Sequence, residues 1–132
     1  MDFRQMIDLA EGEGLLIASR SIGRHHGRYL HRKNLILLSN RITGPQTISV
    51  LAHELGHWHY GDADPEGIHA RDVEARAWRW AARLLVTPHR YAAAEHAVGP
   101  HRGAIARELG VTRQLLEHWS PNAAPHTTWR TA

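Results

Sequence analysis

The segment LAHELGHWHYGD, residues 51–62, contains three histidines and a glutamate within seven positions. Its centre is an H-E-x-x-H string, in which His53 and His57 are four residues apart and Glu54 follows the first histidine. Residues four apart on a helix lie on the same face, so the two imidazoles could bind one metal ion. The glutamate beside them could take a proton from a water molecule. This spacing therefore indicates metal-assisted hydrolysis.

The string alone is a weak signal, because a chain with 12 His in 132 residues can contain it by chance. Its surroundings predict the helix that the chemistry needs. Thr43 and Gln46 form a capping-box pattern with Pro45 in the first turn, and Gly61 is a stop signal. Between them runs an apolar stripe: Ile48, Leu51, Ala52, Leu55 and Trp58. We therefore predict a helix over about residues 44–60, with the stripe burying the face beside the histidines.

A zinc ion would need a third protein ligand, with its fourth position left for water. The chain has no Cys, so disulfides and thiolate sites are excluded and the ligands must be nitrogen or oxygen. The loop after the string offers Asp62 and Asp64. The metzincin spacing fails there, because Gly61 and Asp64 each come one position too late.

The alternative third ligand is Glu74, at the start of the next predicted helix. Its neighbours on the same helical face are apolar: Trp78, Ala81 and Leu85. A carboxylate on a buried face is costly unless it is paired or bound to metal. Asp72 competes with it, but lies one step off that face and suits the N-terminal cap of the helix.

LAHELGHWHYGD followed by EARAWRWAARLL, residues 74–85, resembles the ImmA/IrrE family of small zinc endopeptidases. Its members combine an LAHELGH helix with a helix of the form E-x-x-A-x-x-aromatic-A-x-x-L-L. The matching residues here are Glu74, Ala77, Trp80, Ala81, Leu84 and Leu85. The likeness covers about residues 28–119, and its C-terminal part is similar to short versions found in phage and prophage genomes. Two features depart from the family: a short segment between His57 and Glu74, and LLVTP in place of LLMP.

This resemblance implies a zinc metallo-endopeptidase with one Zn²⁺ per chain, held by His53, His57 and Glu74. It implies Glu54 as the general base that activates a zinc-bound water. The implied substrate is a protein or peptide, typically the helix-turn-helix transcriptional repressor of a mobile element. An oxyanion or substrate contact is also needed, and the sequence leaves four candidates open: Tyr60, His59, His89 and Tyr91. The strand at 35–39 could present an edge to an extended peptide.

The sequence around these residues predicts the helices and strands of an α+β, zincin-like fold that would position them. An apolar i, i+3, i+4, i+7 pattern predicts a helix over residues 2–11. Strand-like stretches follow at 15–19, 28–32 and 35–39, with a tight turn at 32–34. A second long helix ends before Pro88, and two or three shorter ones follow up to residue 119. We expect a small antiparallel sheet of about three strands packed on the two long helices, with a helical C-terminal cap.

The C-terminal segment AIARELGVTRQLLEHW has a helix-turn-helix spacing, with Thr112 as a cap. Its second helix offers only Arg113 and Gln114 to bases and no cationic cluster to phosphates. The sequence therefore favours a helical pair, residues 101–119, that completes the core or binds a protein partner over one that binds nucleic acid. We expect one metallopeptidase domain over 1–119 and a flexible tail over 120–132.

The bulk properties fit a single compact cytoplasmic domain. The N-terminus is acidic where a signal peptide would be basic, and no apolar run is long enough to span a membrane, so we expect no membrane partner. The net charge of +3 is spread along the chain. The competing function is a metal-stabilised DNA- or repressor-binding regulator with little turnover. The intact Glu54 favours the endopeptidase, because a structural zinc has no use for a general base.

Overall fold

The structure, a computed structural model, describes residues 1–63, 67 and 69–122. Asp64 and residues 123–132 of the tail predicted over 120–132 lie outside the described residues. The elements, in chain order, are α1 (Phe3–Gly12), β1 (Leu16–Arg20), β2 (Gly27–Leu30), β3 (Leu35–Ser39), α2 (Pro45–Tyr60), α3 (Ala70–Leu85), α4 (Pro88–Val98), α5 (Arg102–Leu109) and α6 (Arg113–Glu117). The predicted α+β class is confirmed.

The three strands form a mixed sheet with β3 in the centre, in the order β1-β3-β2. β2 pairs with β3 antiparallel, as predicted, whereas β1 pairs with β3 parallel. The expectation of a wholly antiparallel sheet is thus corrected. The segment LILLS of β3 is apolar at almost every position, which suits a central strand with both edges paired. β1 and β2 consequently become the two edges of the sheet.

Two local predictions also differ from the structure. The expected tight turn at 32–34 is a short 3-10 helix, His31–Lys33, closed by Asn34 in the left-handed region at φ 49°. The expected capping box at Thr43 is absent, because α2 starts one residue later, with Gly44 at the N-cap and no side-chain cap. Gly44 has φ 56°, a conformation that favours glycine over the β-branched Thr43.

Helix α2 lies at the centre of the molecule, buried without a break from Ser49 to Trp58. It packs on α3 and also contacts β2, β3 and α1. The two helices lie close together at Gly56, where an added Cβ would lie 2.8 Å from the Ala77 carbonyl oxygen. The missing side chain therefore lets the two long helices come close enough to share side-chain partners.

The C-terminal helices close one end of the core. Leu115 and Leu116 of α6 are fully buried, and the Trp119 indole N–H donates to the Val86 carbonyl over 2.8 Å. Thr112 caps α6, as predicted, by accepting from the Leu115 N–H. Its own backbone N–H donates to the buried Ser49 hydroxyl of α2 over 3.0 Å. These contacts tie α6 to the two long helices.

None of the helices in the described residues is both long enough and apolar enough to cross a membrane.

Candidate metal centre

Two histidines of α2 and one glutamate of α3 converge at the interface between these helices. His53 and His57 are one turn apart and buried, and Glu74 lies in the second turn of α3 with a 41% exposed side chain. Glu74 Oε2 is 3.0 Å from His53 Nε2, and Glu74 Oε1 is 2.7 Å from His57 Nε2. One donor atom from each residue lies within 4.8 Å of the other two. The sequence thus brings together three side chains that can hold one metal ion.

The donor set fits a divalent metal ion. Two imidazole nitrogens and one carboxylate oxygen are ligands that zinc-type ions take, with a further position left open. His53 Nε2 is buried and makes no hydrogen bond of good geometry, although Glu74 Oε2 lies close to it. A buried polar atom without a proper partner is costly. Coordination to a metal would satisfy this nitrogen.

The charges of the three groups depend on one another. Burial lowers the pKa of His53, but the neighbouring carboxylates of Glu54 and Glu74 outweigh burial and raise that pKa to about 9. Burial also lowers the pKa of His57, yet its hydrogen bond with Glu74 makes the net change a rise. Burial alone would raise the pKa of Glu74, but the two histidines hold it well below its usual range. The two histidines are therefore readily protonated beside the Glu74 carboxylate, and a bound cation would replace their protons.

Glu54 lies beside these groups in the wall of the same cavity. It is 6% exposed, and its Oε1 is 3.4 Å from His53 Nδ1. The edge strand β2 packs directly against it, since a Cβ on Gly27 would lie 3.0 Å from Glu54 Cγ and 2.6 Å from Val50 Cγ1. Only glycine allows this approach without displacement of a neighbour. The side chain of Glu54 is thus confined to a narrow region next to the candidate metal centre.

Trp78 of α3 contacts the first histidine directly. Its ring stacks on His53 with centroids 4.2 Å apart and an interplanar angle of 14°. The sequence places Trp78 on an apolar helical face expected to be buried, and the residue is indeed buried. The stacking adds a second effect, because a ring held against an aromatic face has little freedom to rotate. Trp78 therefore restricts the orientation of the His53 imidazole.

The candidate metal centre opens into a cavity of about 380 Å³. Residues 25–29, which include most of β2, form one wall, while Thr112 and Gln114 at the start of α6 contribute to the lining. We expected strand 35–39, which is β3, to present an edge to an extended peptide. β3 is paired on both sides, so the strand edge beside the cavity belongs to β2. The C-terminal helical pair, considered above as a DNA-binding element, is part of this cavity. No feature of the local sequence indicated that placement.

The four candidate oxyanion or substrate contacts lie elsewhere. Tyr60 packs under the Arg76 guanidinium, 4.1 Å from the ring centre, and His59 stacks on Trp80. Farther along the chain, His89 is exposed on α4, and Tyr91 stacks on Trp119. None of the four is among the described residues that line the cavity.

The competing acids take other positions. Asp72 is exposed in the first turn of α3, and it is not the predicted cap, because His69 occupies the N-cap without a side-chain hydrogen bond. Asp62 contacts His57 from the Nδ1 side, at 2.9 Å, whereas Glu74 contacts it from the Nε2 side. Asp64 lies outside the described residues. Glu74 is therefore the acid that the described structure places between the two imidazoles.

The choice between these acids gives a direct prediction. Glu74→Ala is expected to weaken metal binding at least about tenfold, because losing even an outer partner of a metal ligand costs about 10–100-fold. Asp72→Ala is the matched control on the same helix and should bind metal as wild type does. Competition with a chromophoric chelator measures both affinities. The opposite ranking would remove Glu74 from the ligand set.

Comparison with known proteins gives one family. The family model described as the IrrE N-terminal-like domain, peptidase M78, matches residues 10–119. That range includes both long helices, the sheet and the C-terminal helices, and it extends the resemblance seen in the sequence toward the N-terminus. A comparison with curated proteins finds no match. With its two histidines and its glutamate brought together in one cavity, the chain belongs to the peptidase M78 family of metallopeptidases, those with an IrrE N-terminal-like domain.

Proposed function

We propose that this metallopeptidase is a zinc-dependent endopeptidase with His53, His57 and Glu74 as its metal ligands. The observation that carries the proposal is the convergence of these donors in the cavity that also holds Glu54. The chain has no Cys, and a site of two imidazoles and one carboxylate is a usual composition of catalytic zinc centres. Bound zinc would lower the pKa of a water molecule toward 7 and polarise the scissile carbonyl.

Glu54 is the proposed general base. Its carboxylate takes the proton of the attacking water and passes it to the nitrogen of the leaving amine. Two features support this role: its confinement against Gly27 of β2 and its place in the cavity wall. A base held in one place needs no rearrangement before proton transfer, which is what positioning contributes to catalysis.

The outer edge of β2, which pairs with no other strand among the described residues, supports an extended peptide as substrate. β2 pairs with β3 on one side, and its residues Gly27, Arg28 and Tyr29 line the cavity. A peptide that adds to this edge would gain backbone hydrogen bonds and would pass the metal centre in an extended conformation. We propose that the peptide comes from a regulatory protein in the cytoplasm. The family resemblance suggests the transcriptional repressor of a mobile element.

The experiment that tests this function compares the zinc-loaded protein with its Glu54→Gln variant on a library of unstructured peptides. Internal cleavage by the wild type that stops on chelation and returns with zinc supports the proposal. A zinc-loaded wild type that leaves every peptide intact, under conditions where it is folded, would contradict it. Such a result would favour the competing function, a metal-stabilised regulator that binds DNA or a repressor.

A second prediction concerns the C-terminal helices and distinguishes an endopeptidase from a DNA-binding regulator. Leu116→Ala is expected to lower the free energy of unfolding by about 2–5 kcal/mol, because Leu116 is fully buried. Arg113→Ala should have almost no effect on stability, since Arg113 is exposed in an i, i+4 ion pair with Glu117. Chemical denaturation measures both values. In a gel shift with a short duplex at low salt, tight binding that Arg113→Ala abolishes would instead identify a DNA-binding surface.

A further inference from the structure

We propose that Asp62, held by Arg76, is a positioning residue that fixes the His57 imidazole for metal binding. The inference rests on the metal-binding part of the proposed function. Asp62 is outside the cluster of three ligands and contacts one of them from behind. Its role would be to select the nitrogen that His57 offers to the metal and to hold the ring in place.

The end of α2 puts Asp62 next to His57. Gly61 ends the helix in the left-handed conformation, at φ 67°, and turns the chain back toward its last turn. The backbone N–H of Asp62 then donates to the His57 carbonyl over 2.9 Å. Its carboxylate Oδ2 lies 2.9 Å from Nδ1 of the same histidine. Asp62 is therefore bonded to His57 through both backbone and side chain.

In the neutral imidazole that a metal requires as its ligand, the Asp62 carboxylate decides which nitrogen of His57 carries the proton. An ionised carboxylate only accepts hydrogen bonds, so Nδ1 must donate and Nε2 is left to face Glu74 and a metal. His53 is held differently: its Nδ1 is 3.4 Å from Glu54, and Trp78 stacks on its ring. Asp62 thus restricts the orientation of the His57 ring, as the stacked indole of Trp78 restricts that of His53.

Arg76 completes the arrangement from the other helix. Its Nη2 donates to Asp62 Oδ1 over 2.6 Å, so each carboxylate oxygen has one partner. The side chain of Asp62 is 8% exposed, and a carboxylate that is so buried needs such partners. Arg76 follows Glu74 by two residues on α3. The pair therefore joins the loop after α2 to the helix that carries the third ligand.

The test is zinc affinity, measured by chelator competition in the full chain. Asp62→Ala is expected to weaken zinc binding by about 10–100-fold, the usual effect of losing an outer partner of a metal ligand. Asp62→Asn should fall between Asp62→Ala and wild type, because its amide oxygen can still accept from Nδ1. Arg76→Gln should weaken binding as well. Arg71→Gln, an exposed arginine on the same helix, is the matched control and should bind zinc normally.

A spectroscopic readout separates positioning from a general loss of structure. In the zinc-loaded protein the Nδ1–H of His57 should give a protected imidazole proton signal in the NMR spectrum, and Asp62→Ala should remove it. Wild-type affinity in both Asp62 variants would overturn the inference. So would unfolding of Asp62→Ala together with wild-type affinity in Asp62→Asn, because the role would then be structural. A wild type that binds no zinc would overturn the proposed metal site itself.

Discussion

Replacing Glu54 by glutamine is expected to lower peptide hydrolysis by about 10²–10⁴-fold, the contribution of a positioned general base. The amide has nearly the shape of the carboxylate but cannot accept the proton of the attacking water. Glu54 is buried and packed against Gly27, so the glutamine should occupy the same space. The change therefore removes the proposed proton acceptor and should leave the cavity intact.

Two measurements must accompany the rate. Zinc content should remain at the wild-type level, because the proposed ligands are the neighbouring His53, His57 and Glu74. Glu95→Gln, the same chemical change at an exposed position on α4, is the matched control and should leave the rate unchanged. If Glu54→Gln cleaves the substrate at the wild-type rate, Glu54 is not the base. If it loses zinc in parallel with activity, the effect does not come from proton transfer.

The features that the sequence predicted well depend on short-range patterns. His53 and His57 are four residues apart, so a helix brings them together whatever surrounds it. The apolar stripe and Gly61 predicted α2 to within a residue of its observed bounds, Pro45–Tyr60. Predicting Glu74 required more than this spacing, because Glu74 lies on another helix. The local sign was an acidic residue on an otherwise apolar helical face, where a carboxylate needs a partner.

The features that the sequence missed depend on contacts between distant segments. The order of the strands depends on which strand has a partner on both of its edges. No residue of β1 alone specifies that its partner is parallel. The sequence offered Asp62 as a possible ligand, because a carboxylate near the histidines suits that role. Its observed partners depend on the turn at Gly61 and on the packing of Arg76 from α3. A sign was nevertheless available, namely a carboxylate that directly follows the glycine at the helix end.

Loss of either histidine is expected to abolish stable zinc binding. The purified wild type should contain close to one zinc per chain, whereas His53→Ala or His57→Ala should contain almost none after gel filtration. Each change removes one of the proposed ligands and leaves the Glu74 carboxylate with a single imidazole partner. His96→Ala, an exposed histidine in the last turn of α4, is the matched control and should keep its zinc.

Zinc binding should also stabilise the fold, because the proposed ligands come from two helices that must be packed for the site to exist. An ion present at a thousand times its dissociation constant stabilises the native state by about 4 kcal/mol. A chelator should therefore lower the melting temperature of the wild type and of His96→Ala, and should leave those of His53→Ala and His57→Ala unchanged. Full zinc occupancy in both ligand variants would move the metal away from this site. A chelator effect that persists in both would place a stabilising ion elsewhere in the protein.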